Sequence, residues 1–129
     1  MTKWQRAALL AGIGYSFAGI VFAIPRTHSQ FWRLASWAMS GVVLSWHIAY
    51  ERFRLKNPPL TAAWHAAVGA AIGGFGLAAG ANINSMIVAR PSPNLRMLRL
   101  SLAIWPVVLA IPSFLVALVL SVILARKRD

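Results

Sequence analysis

Four apolar stretches, each close to the length needed to cross a bilayer, dominate this chain and restrict what it can fold into. They run from about 7 to 24, 34 to 50, 60 to 88 and 100 to 125. A crossing helix needs roughly 20 apolar residues, with a range of about 17–25. The first stretch carries no charge, and the connections between stretches hold the helix breakers: Pro25, Asn57-Pro58-Pro59 and Arg90-Pro91-Ser92-Pro93-Asn94. Proline removes a backbone donor and disfavours helix in the residue before it, so the apolar runs end there. Short connections between apolar helices imply antiparallel neighbours. The expected fold is an all-α integral membrane protein: one domain over residues 1–129, a four-helix transmembrane bundle with antiparallel up-down topology. Val21-Phe22-Ala23 has the look of a signal-peptide cleavage site, but the stretch is long for that role and is expected to remain as a span.

Composition supports lipid as the solvent. Hydrophobic residues make up 59% and charged residues 12%, about half the charged share of an ordinary soluble domain; the mean hydropathy is +0.66. The formal charge of +11 would suggest nucleic acid in a soluble protein. Here the basic residues fall in the gaps between apolar runs, where membrane orientation and anionic lipid headgroups account for them. No nucleic-acid partner is expected. The chain has no cysteine, which removes disulfides, thiolate metal sites and thiol redox chemistry.

Lys and Arg set the orientation. Lys3, Arg6, Arg52, Arg54, Lys56, Arg126, Lys127 and Arg128 gather on one side; Arg26, Arg33, Arg90, Arg96 and Arg99 gather on the other. The first side is richer, which puts both termini in the cytoplasm and the chain in the cell (inner) membrane as a multi-pass protein. Tryptophans fit the same map, with Trp4, Trp46 and Trp64 near one interface and Trp32, Trp37 and Trp105 near the other. Indole rings favour both interfaces.

Small residues mark the packing faces. Gly12, Ser16, Gly19 and Ala23 share a face of the first span; Ala62, Ala66, Gly69, Gly73, Gly76 and Gly80 share one on the third. Such faces let helix backbones approach closely in lipid, so the third span is expected at the centre of the bundle or at a homodimer face. Pro106 is expected in the first turns of the fourth span and Pro112 at a kink. Leu95 to Leu100 reads either as a segment in the headgroup plane or as a plain helix start. Asn82, Asn84 and Ser85 are expected to cap or bond between helices, with Asn84 on the glycine face.

One polar constellation stands out. Ser36, Ser40, His47 and Glu51 fall on one arc of the second span, and polar side chains in a membrane helix face the bundle interior or a cavity. Glu51 is four residues after His47 and in reach of its imidazole. In an antiparallel hairpin His65 comes to similar depth near the cytoplasmic end. The first expectation is a structural polar cluster with no cofactor. Three alternatives stay open on the same residues: a divalent metal held by His47, Glu51 and His65, a haem between His47 and His65, or a quinone or lipid headgroup site. His28 is expected to be solvated.

These observations support three functional expectations. The first is a structural or accessory membrane subunit, partnered by itself or by another membrane protein. The second is a small transporter or channel. In length and span count the chain resembles small multidrug transporters, but that resemblance implies a carboxylate in the first span, and residues 7–24 have none. The third is a haem- or metal-binding redox subunit. Hydrolytic chemistry is not expected, since the spans carry no acid, no cysteine and no Ser-His-Asp set.

Overall fold

The computed structural model describes residues 1–23, 30–87 and 94–126, without the side chains of Phe22 and Ala23. The fold is all-helical: α1 (Lys3–Ala23), α2 (Gln30–Ala49), a π-helical turn (Tyr50–Arg54), α3 (Pro59–Ile87) and α4 (Leu95–Arg126). Of these, α3 and α4 are long and apolar enough to cross a membrane. The Pro25 and Arg90–Pro93 connections, His28, the packing role of Ala23 and the last three residues lie outside what is described.

Local chemistry sets the ends. Thr2 precedes α1, and the Gln5 side chain accepts from the Thr2 backbone N–H at 2.8 Å, one half of a capping box. Pro59 opens α3, at the position where a missing N–H costs nothing. The N–H of Leu98 donates to the Asn94 carbonyl, so Leu95 to Leu100 is the plain start of α4. That start moves Pro106 away from the first turns. Both Pro106 and Pro112 lie inside the 32-residue helix, and each leaves the carbonyl four residues earlier without its helical donor.

Helix directions follow from the contacts. Along α1 and α3 the positions rise together: Ala8 lies at Gly69, Tyr15 at Gly73 and Leu77 at Gly19. These two helices are therefore parallel. Against α4 the order reverses, with Ala63 and Ala66 near Ala117, Gly74 at Trp105–Pro106 and Asn82 bonded to the Leu98 carbonyl. α3 lies between α1 and α4 and buries Ala62, Ala66, Gly69, Gly73 and Gly74.

None of the described glycines has a positive φ, so their role is space. A Cβ at Gly73 would overlap that of Tyr15, one at Gly12 would meet Ile72, and one at Gly19 the end of Leu77. Gly76 faces the Ser16 hydroxyl, which is also 3.0 Å from the Gly12 carbonyl and 3.2 Å from that of Gly73. Gly80 is looser, with Ile20 at an ordinary 3.7 Å. The tightest backbone approach is at Gly74, off the expected stripe, where a Cβ would lie 2.7 Å from the Trp105 carbonyl oxygen and 3.0 Å from Pro106 N. The asparagine that joins two helices is Asn82, not Asn84. Its amide donates to the Ala78 and Leu98 carbonyls, each at 2.8 Å, while Asn84 is exposed.

Gly41 on α2 is the exception, since a Cβ there meets nothing within 4 Å. Alanine in a helix interior is favoured over glycine by about 0.5–1 kcal/mol. Gly41→Ala is therefore expected to leave a thermal melt unchanged or to raise it slightly. A loss of stability would show that this face of α2 is covered.

Candidate polar site

The polar site sits where α2 gives way to α3. A π-turn carries one more residue per hydrogen bond than an α-turn and is frequent at functional positions. Here the Leu55 N–H reaches back to the Tyr50 carbonyl, and the Asn57 N–H to that of Glu51. Lys56 between them has φ 55°. This is a C-terminal cap one residue wider than the usual six-to-one closure. The widening turns Glu51 inward and places Asn57 beside it. The Arg52 guanidinium donates to the Asn57 carbonyl and ties the turn from outside.

Glu51 is 0% exposed. Its Oε2 accepts from Asn57 Nδ2 at 2.6 Å and from His65 Nδ1 at 2.9 Å. His47, also 0% exposed, holds Nε2 3.7 Å from Oε1, an ion-pair distance too long for a hydrogen bond. Because the carboxylate accepts, His65 carries its proton on Nδ1. The His65 ring lies flat on the Trp4 indole, centroids 4.2 Å apart and 5° between planes. The His47 ring lies over Gly69, with Cε1 and Nδ1 3.2 Å from where a Cβ would stand.

Burial by itself would raise the Glu51 carboxyl. The groups aimed at it, His47 on one oxygen and Asn57 and His65 on the other, outweigh burial and hold it below the usual carboxylate range. A buried charge is tolerated when it is paired and hydrogen-bonded in this way.

The structure thus brings His47, Glu51 and His65 together. Ser36 and Ser40 share their arc but stay half-buried, and the hydrogen bonds to Glu51 come from Asn57 and His65 instead. Ser40 is seven residues before His47, about 10 Å along the helix, too far to join the cluster. Asn57 and Trp4 were not expected. Asn57 depends on the π-turn, which leaves no periodicity in the sequence, whereas Trp4 was placed only as an interface marker.

Among the described residues no three His, Cys, Asp or Glu side chains are placed to hold a metal ion. The two imidazoles address opposite oxygens of one carboxylate, so Glu51 bridges them and the three do not converge on a point. The same carboxylate occupies the space a haem between His47 and His65 would need. What the arrangement can do is hold charge and protons: an ionised carboxylate between two imidazoles, with Glu51 Oε1 and both His47 nitrogens free of hydrogen bonds within the protein. The chain matches no family profile, no curated protein and no solved structure.

Proposed function

We propose that this chain is a multi-pass protein of the cell (inner) membrane, crossed by all four helices with both termini in the cytoplasm. In this reading it serves as a structural or accessory subunit that packs against a second copy or a larger membrane protein. One observation carries the proposal: the surface and interior are inverted relative to a water-soluble bundle. Large apolar side chains are exposed on every helix, among them Phe17 and Ile20, Trp37 and Val42, Phe75 and Ile83, and Val107 and Leu115. The core is mostly alanine with a buried Glu and His. Exposed apolar surface on this scale needs lipid or a partner, and small-residue interiors are what helix packing in lipid favours.

The exposed Val107, Ile111 and Leu115, at four-residue steps along α4, offer an apolar face to a helix partner outside the chain. The test has two stages. The chain should stay in the membrane pellet through alkaline carbonate and be released by detergent. Native mass spectrometry of the extracted particle should then give a dimer or a complex with a second membrane protein. Release by carbonate would remove the membrane reading, and a monomer with no partner would remove the accessory role.

A further inference from the structure

The small-residue face of α3 does more than admit a neighbouring backbone. His65, Gly69 and Gly73 follow at four-residue steps and so lie one above another on a single face. His65 bonds Glu51, Gly69 lies under the His47 imidazole, and Gly73 lies under the Tyr15 ring. Each glycine removes the side chain that would otherwise fill the place of a polar group from another helix. The steps are about 6 Å apart, so the groups form a line that enters the bundle from the end bearing the chain termini.

Two independent features mark this line as a route. One is its orphaned atoms: Glu51 Oε1, His47 Nδ1 and Nε2, and the Tyr15 hydroxyl are buried without a hydrogen-bond partner in the protein. Buried polar groups are otherwise paired in the great majority. Tyr15 is 8% exposed and packs with Ala11, Ala70, Val43 and Leu44. The other feature is graded access. The His65 side chain is 14% exposed, and those of His47 and Glu51 are closed.

We propose that His65, Glu51 and His47 form a proton-exchange path, with His65 as its mouth and His47 as its inner end. The proton steps balance. His65 takes a proton on Nε2 and gives its Nδ1 proton to Glu51 Oε2. A half-turn of the carboxyl presents that proton to His47 Nε2, leaving Glu51 ionised again and His47 as the imidazolium. His65 and Glu51 each gain one proton and lose one, His47 holds the proton that entered, and the return runs by the same steps reversed.

The charged and titratable groups around this line are few. α1 turns Tyr15 inward and leaves Lys3 and Arg6 exposed. The π-turn contributes Glu51, a half-buried Tyr50, an exposed Arg54 and Arg52, the last tied to Asn57. α3 contributes His65. The buried residues of α4 are Ala117 and Ser121, with Arg126 exposed. No second carboxylate from these elements competes for the proton.

The test is hydrogen exchange at the imidazoles of the full chain in lipid nanodiscs, read by NMR with nitrogen-labelled histidine. A path predicts that Glu51→Gln slows exchange of the His47 ring N–H at least tenfold while leaving the backbone amides of Leu44 and Ile48 beside it unchanged. His65→Gln should slow that exchange at least tenfold while leaving those amides unchanged. Either variant carries the test alone if the other does not fold. A folded Glu51→Gln that exchanges like the wild type would overturn the proposal. So would a folded His65→Gln that exchanges like the wild type. Neither result depends on the accessory role, which stands or falls on the oligomer measurement.

Discussion

Glu51→Ala is expected to lower stability by about 3–5 kcal/mol, the usual cost of breaking a buried charged pair from one side. The carboxylate is the common acceptor for Asn57 and His65, and its Oε1 lies at ion-pair distance from His47 Nε2. Its removal leaves the half-buried Asn57 and His65 donors without their acceptor. Glu51→Gln keeps a carbonyl oxygen for one of them and should cost less, about 1–2 kcal/mol. The same carboxylate sets a pH dependence. Its folded-state pKa lies below the ordinary value, so its contribution is complete above roughly pH 4.3 and is lost as pH falls through the lowered native value. Thermal melts of the wild type in detergent should hold level from neutral pH down to about that point and then drop. The Glu51→Ala protein should show a flatter curve. Equal slopes in the two proteins would mean that Glu51 is not ionised in the fold.

Gly74→Val carries the second large effect, about 2–3 kcal/mol at least, in the range of overpacked cores. The added atoms meet the α4 backbone at Trp105 and Pro106, and backbone cannot move aside by changing rotamer as a side chain can. α3 and α4 would have to separate, and the Asn82 bond to Leu98 lies on the same seam. Gly19→Ala is the control. Its new methyl meets only the flexible end of Leu77, and a much smaller loss is expected in the same melt.

These two positions also show how far sequence reasoning reaches. Spacing of three and four residues located the glycine face of α3, because a helix repeats its faces at that period. It missed Gly74, whose importance is set by where α4 brings Pro106, a tertiary fact that the local pattern of α3 does not carry. It over-weighted Gly80, which lies on the stripe but meets Ile20 only at ordinary contact distance. The meeting of His47, Glu51 and His65 could be read from the hairpin depth of two short segments. The π-turn could not, since one extra residue per hydrogen bond changes register without changing composition. Asn57 was therefore invisible as a partner of Glu51, while Ser36 and Ser40, on the right arc, were too distant to take part. Pro106 was misplaced because the helix starts at Leu95, before the apolar run that signalled it.

The proposed crossing of the bilayer by all four helices is tested most directly by labelling of single cysteines. The chain has none of its own, so Thr27→Cys, Lys56→Cys, Ser92→Cys and Asp129→Cys each give one clean reporter. An impermeant maleimide added to intact cells should label positions 27 and 92 and leave 56 and 129 untouched until the membrane is opened. Labelling of 27 and 56 from the same side would show that α2 does not cross, and would contradict the four-span reading.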